Sequence, residues 1–161
     1  MPNESVERAA AALGRETTIR GLLHTACQEL VNTLGASACA ISRVVGDLLV
    51  GLAEFSRDDR RLALEHEYLI SDFPLTQEVI VRGQARAVSL LETAPEPNEA
   101  ALLEKLGYSS LLMVCLPAGG ECWGLVEVYA DATHFDERQT AAAEEIADVA
   151  GRQLERLERI D

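Results

Sequence analysis

A carboxylate stands inside an apolar run. Glu127 lies in residues 121–130 (ECWGLVEVYA), two residues before Tyr129. An ionised carboxylate in an apolar strand costs several kcal/mol unless it is paired. Two kinds of partner are open to it. If another layer covers that face, Glu127 would accept a donor from a bound molecule, with Tyr129 beside it. Otherwise Arg43, on a strand expected alongside, would hold it in a structural ion pair. Sulfur is the second candidate chemistry. Cys115 and Cys122 flank Gly119-Gly120, and a hairpin there makes them diagonal neighbours on one face. They would form a disulfide in an oxidising compartment. In a reducing one the default for Cys27, Cys39, Cys115 and Cys122 is four free thiols, with Cys115 and Cys122 as small hydrophobes in the core. A redox role would need exposure and a lowered thiol pKa. The chain has no Cys-x-x-Cys pair, and no Ser-His-Asp spacing or phosphate-cradling glycine loop stands out. The expectation is a protein that is not an enzyme and holds no metal.

These residues need elements to position them. Val6, Ala9, Ala10 and Leu13 share one helical face over 5–13, which Gly14 ends. Ile19, Leu22, Leu23, Ala26, Cys27, Leu30, Val31 and Leu34 predict an amphipathic helix over 17–34, capped by Thr17 or Thr18 and ended by Gly35. Residues 38–45 and 48–55 read as a hairpin around Gly46-Asp47. A short helix over 75–82 and a strand over 86–91 follow, then a loop with Pro95 and Pro97. Asn98 would cap a helix over 99–106. The Gly119-Gly120 turn joins strands 109–117 and 121–130. It sets Cys115 opposite Gly124, Leu112 opposite Glu127 and Ser110 opposite Tyr129. One face then carries Leu111, Met113, Cys115, Cys122, Val126 and Val128, ready for a helix layer. The other carries Ser110, Leu112, Val114, Trp123, Leu125, Glu127 and Tyr129. A final helix over 136–160 has a seam of Ile146, Val149, Ala150, Gln153, Leu157 and Ile160. Such a seam on a terminal helix predicts a homodimer. Tight hairpins join only antiparallel strands, so the fold class is α+β with an antiparallel sheet.

Composition narrows the partners. The chain has 161 residues and a formal net charge of −13, which disfavours nucleic acid and anionic membrane surfaces. Length predicts one domain, 1–161, with one hydrophobic core. No bilayer-spanning segment or signal peptide is read at the N-terminus, so the expected location is cytoplasmic.

The stretch from Leu106-Gly107-Tyr108-Ser109-Ser110-Leu111-Leu112 through Val114-Cys115-Leu116 to Gly120-Glu121-Cys122-Trp123-Gly124-Leu125-Val126-Glu127-Val128-Tyr129 resembles the GAF domain family. Many bacterial members carry Gly-x-x-Ser-Leu-Leu-x-Val-Pro-Leu, then Gly-Glu-x-x-Gly-Val-Leu, then a Phe, which Phe135 matches. Gly124 would let the helix layer approach the sheet. The resemblance covers roughly residues 19–157, the core of the domain, and implies a sheet of about six antiparallel strands with terminal helices on one face. Short helices and loops (56–83 and 92–107 here) would form a lid on the other, over a small-molecule pocket. Departures are visible. Ala130 and Asp131 stand near the Asn-Lys position of cyclic-nucleotide-binding members. The Cys-His dipeptide frequent in bilin-binding members is absent, as is the aromatic segment of members that reduce free methionine sulfoxide. Cys115 replaces a frequent proline.

On that frame the expected ligand-binding residues are Glu127, Tyr129, Arg43, Phe55, Phe73 and Leu112. Phe55, Phe73 and Tyr108 would line a planar ligand or simply fill the core. His66, in the lid, is the one histidine placed to ligate a haem; no cofactor is named by the sequence. The expected function is a small-molecule sensor of bacterial signal transduction that signals through its terminal helices. The alternatives are a ligand-free dimerisation module and, third, a thiol-dependent free methionine sulfoxide reductase.

Overall fold

The computed structural model describes residues 4–58, 68–131 and 134–160. Helix α1 (Glu4–Gly14) is followed by α2 (Ile19–Leu34), where the Thr18 hydroxyl accepts from Gly21 N at 3.0 Å and Gly35 closes the end at φ 65°. Both ends satisfy backbone groups that a helix leaves open. Strands β1 (Ala38–Val45) and β2 (Leu48–Ser56) form the first hairpin. A two-residue strand β3 (Tyr68–Leu69) and a single 3-10 turn (Ile70–Asp72) lead into α3 (Pro74–Arg82). Then come β4 (Arg86–Ser89), α4 (Pro97–Leu106), β5 (Ser110–Ala118), β6 (Glu121–Ala130) and α5 (Glu137–Ile160). The six strands make one antiparallel sheet in the order β3-β2-β1-β6-β5-β4.

Two hydrophobic clusters sit on opposite faces of this sheet. On one, α1, α2 and α5 pack over Cys39, Ile41, Leu112, Val114, Leu116, Val126 and Val128. On the other, Val79 of α3 and Leu103 of α4 meet Ala38, Ala40, Leu111, Met113, Leu125 and Tyr129. Terminal helices therefore cover one face and short helices the other, as expected. The α5 seam is taken up inside the chain. Ile146, Ala150 and Gln153 are buried against the neighbouring helices, and Val149 and Leu157 half-buried; the Ile160 side chain lies outside the described residues. Gln153 donates to the Glu16 carbonyl at 3.0 Å, and Gln139 donates to the Leu34 carbonyl at 2.9 Å, so α5 is pinned in its first turn and again past its middle. The seam does not present an open apolar face.

The β5–β6 register departs from expectation by one residue. The Gly119-Gly120 turn does pair Pro117 with Cys122 and Ala118 with Glu121. A bulge between Leu116 and Pro117 then shifts the ladder, so that Leu116 faces Gly124, Cys115 faces Leu125, Met113 faces Glu127 and Leu111 faces Tyr129. Proline has no N–H for a ladder bond, which is why the irregularity falls there. One residue of slip exchanges the two faces of a strand. Leu111 and Met113 therefore lie on the lid side, and Leu112 and Val114 on the helix side.

Two local expectations also change. Glu96, not Asn98, caps α4, its carboxylate accepting from Glu99 N at 2.8 Å, while Asn98 donates to the Asp72 carbonyl at 2.6 Å. A Cβ on Gly124 would meet the Ser42 carbonyl oxygen at 2.7 Å, so this glycine admits the β1 backbone rather than a helix. The glycine that admits a helix is Gly151 of α5, whose missing Cβ would overlap the Pro117 carbonyl.

Candidate functional site

The lid-side cluster contains a polar group assembled from three elements. β6 alternates side chains, placing Leu125, Glu127 and Tyr129 on that face. The Tyr129 hydroxyl donates to Glu127 Oε2 at 3.1 Å. α4 supplies Glu99, four residues before buried Leu103 and hence on the same stripe, and only 1% exposed. α3 supplies Thr76, whose hydroxyl donates to Glu99 Oε1 and lies 3.3 Å from Met113 Sδ. Met113 is the cross-strand partner of Glu127. The Tyr108 ring, buried just after α4, packs on Tyr129 with centroids 5.4 Å apart and a 31° tilt.

The Glu127 carboxyl feels the charge of Glu99. Burial pushes the Glu127 carboxyl up to about 7, the charge of Glu99 adds to the rise, and the Tyr129 hydroxyl opposes it. Part of the Glu127 surface remains accessible, but it lies among enough protein to lose most of its hydration. Glu99 is raised as well, first by burial and then by the charge of Glu96, against the Thr76 hydroxyl. Among the described residues no cation acts on Glu127. At neutral pH Glu127 is therefore divided between a neutral acid that donates and an anion that only accepts.

Of the six residues expected to bind a ligand, Glu127 and Tyr129 come together under the lid. Phe73 sits at the entry to α3, lining a surface cavity of about 430 Å³ with Asn98, Leu102 and Lys105. The other three lie on the helix side. Leu112 is there because of the bulge. Phe55 packs against the helix layer, its ring edge-on to His24 with centroids 6.3 Å apart. Arg43 faces Gly124 rather than Glu127, whose own partner on β1 is Ala40. Its guanidinium lies 4.3 Å from the Trp123 ring centroid and donates to the Trp123 carbonyl at 3.0 Å. His66 lies outside the described residues, as does the lid stretch 59–67. Sequence reasoning passed over Glu99 and Thr76. The available signal was the four-residue step from Glu99 to Leu103, which puts a carboxylate on an apolar stripe.

The sulfur pair also takes a definite form. Cys115 and Cys122 are joined by a disulfide, with Cα atoms 5.6 Å apart, in place of the expected thiols. Both are half-buried at the sheet end rather than in the helix-side core. Cys27 and Cys39 are free and fully buried, and burial next to one another holds the Cys39 thiol well above its ordinary value. Among the described residues no three metal-ligating side chains converge, and no helix is long and apolar enough to cross a membrane.

The GAF domain family model matches residues 18–154. No curated protein sequence matches the chain. Solved structures share the fold. The chromophore-binding domain of the Stigmatella aurantiaca bacteriophytochrome in its Pr state superposes with a TM-score of 0.80 at 16% identity, over 94% of this chain and 59% of that one. The bacteriophytochrome RpBphP3 from the photosynthetic bacterium R. palustris gives 0.85 at 14% identity, over 98% of this chain and 37% of that one. A far-red-absorbing dark state with bound biliverdin IXa gives 0.81 at 17% identity, over 96% and 99% of the two chains. The chain thus spans less than two thirds of the two bacteriophytochrome structures.

Proposed function

The chain belongs to the GAF domain family, and we propose that it is a non-enzymatic sensory module that receives a small molecule between its sheet and its lid. The observation that carries this reading is the pair of carboxyls on the lid side of the sheet, buried Glu99 and half-buried Glu127, with no described cation acting on Glu127. Two such groups on facing elements are costly as structure alone. They suit a ligand that brings donors or positive charge, with Tyr129 and Thr76 orienting them. The fold neighbour with bound biliverdin supports a small-molecule ligand in general. The missing Cys-His dipeptide separates this chain from bilin-binding members that carry it. Signal would pass from the lid through the sheet to α5 and α1. Self-association, if it transmits the signal, would use surface outside the α5 seam, since the seam is consumed internally.

One observation favours the ligand-free alternative. Tyr108, Leu103, Val79, Met113 and Leu125 are buried at the sheet–lid contact and fill much of it themselves. Native mass spectrometry of the purified protein separates the two readings. A reproducible small mass adduct that Glu127→Gln abolishes is the expected result. A clean apo mass, with no adduct recovered from a metabolite extract, would overturn the sensor reading in favour of the structural module.

A further inference from the structure

Cys115 and Cys122 bracket a point where the β5 backbone lies directly against the α5 backbone. Cys122 is the cross-strand partner of Pro117, and Cys115 stands two residues before it, on the other side of the bulge. The Pro117 carbonyl fills the space left open by Gly151. Two residues on, Gly119 N donates to Glu155 Oε2 at 2.9 Å. The disulfide thus closes the loop that seats the hairpin on the last helix. Both of its cysteines also line an open groove of about 640 Å³ between the end of α3, the hairpin and α5. Glu121, Glu144, Asp148 and Glu155 face Arg82 and Arg152 around that groove, an excess of negative charge. The remaining cysteines offer a built-in contrast, because Cys27 and Cys39 are sealed in the core.

We infer that the Cys115–Cys122 bond is a redox-reversible clamp, opened by an uncharged dithiol entering through this groove, and that opening it loosens the hairpin from α5. The inference does not rest on the lid ligand. In the reaction a thiolate of the dithiol attacks one sulfur of the pair. The cysteine S–S bond breaks, a mixed disulfide forms, and the other cysteine leaves as a thiolate and takes a proton. The second thiolate of the reductant then displaces the first cysteine, which is protonated in turn. Two electrons and two protons reach the protein, and the dithiol becomes its own disulfide. Anionic thiols are disfavoured by the carboxylates around the groove.

The test uses the whole folded chain with dithiothreitol, followed by alkylation, mass measurement and amide hydrogen exchange. Two alkyl groups are expected, on Cys115 and Cys122, with Cys27 and Cys39 protected until denaturant is added. Amide exchange in 118–121 and in the α5 segment 148–157 should rise roughly fivefold, about the effect of losing one hydrogen bond, and should return on reoxidation. Cys122→Ser should show the raised exchange without reductant and no further response to it. Glutathione at equal thiolate concentration should react severalfold more slowly at low salt. Reduction only after unfolding, four thiols that never re-pair, or reduction with unchanged α5 exchange would each overturn the clamp. An equal rate with glutathione would overturn the assigned reductant class.

Discussion

Gly151 of α5 lies against the carbonyl of Pro117 in β5, so closely that a Cβ at that position would overlap the oxygen. The obstacle is backbone and cannot rotate aside. Alanine would gain about 1 kcal/mol of helix propensity over glycine, but forcing α5 off the sheet costs more than that in a packed core. We expect Gly151→Ala to lower stability by about 2 kcal/mol net, read as a lower urea midpoint at unchanged m-value. Gly14, at the end of α1, has nothing within 4 Å of a built Cβ. Gly14→Ala should be neutral or stabilising by up to about 1 kcal/mol. Equal effects from the two alanines would remove the steric account.

Glu127 should make the protein less stable as pH rises through the range below neutrality. Its folded carboxyl is raised from 4.5 to about 7. Between those values the unfolded chain has lost the proton while the native state still holds it. The native state binds more protons there, so raising pH favours unfolding. The loss is up to about 3 kcal/mol, complete above pH 7 and absent below about pH 4.5. Glu127→Gln keeps an acceptor for Tyr129 and has no proton to lose. It should match the wild type at pH 4.5 and exceed it at pH 8, apart from a residual slope in both proteins from Glu99, whose carboxyl is raised too. A parallel pH dependence in both proteins would rule the account out. Chemical denaturation at several pH values supplies the measurement.

Glu99→Gln removes the like charge that helps to raise Glu127. The Glu127 titration, followed by carbon NMR of its side-chain carboxyl, should then move below 7. Because burial is the larger cause, the midpoint should remain above that of an ordinary glutamate. An unmoved midpoint would mean that the two carboxyls do not share a field. The pair would then lose its standing as one site.

What the residues disclose in advance depends on how far apart the interacting groups lie in sequence. The apolar spacing of Leu22, Cys27, Leu30 and Leu34 and the cap at Thr18 concern neighbours within a turn or two, and α2 follows them closely. The Gly119-Gly120 turn likewise pairs Pro117 with Cys122. The face assignment of β5 failed because a periodic pattern carries across a bulge unchanged, although Pro117 was the visible warning. Arg43 was misplaced for a different reason. β1 and β6 are joined by no turn, so nothing local sets their register, and Gly124 rather than Glu127 meets Arg43. Glu99 belongs between these cases. Its step to Leu103 was readable, but its meeting with Thr76 required the packing of α3 against α4.

Arg43 and Trp123 give the last prediction. The chain has one tryptophan, so its fluorescence reports this contact without interference. The guanidinium covers the ring at 4.3 Å and bonds the Trp123 carbonyl at 3.0 Å. The stacking contributes about 0.5–1 kcal/mol at a partly exposed site, and a charged hydrogen bond about 1.5–3 kcal/mol. Removing both also exposes the ring, which is 8% accessible. Arg43→Ala should therefore red-shift the emission and cost about 2 kcal/mol in denaturant titrations. Arg43→Lys keeps the charge but loses the planar fork that stacks and donates together. It should fall between the two, with emission closer to alanine than to arginine. If lysine restored the wild-type spectrum, charge alone would hold the ring, and the planar geometry of Arg43 would carry no weight.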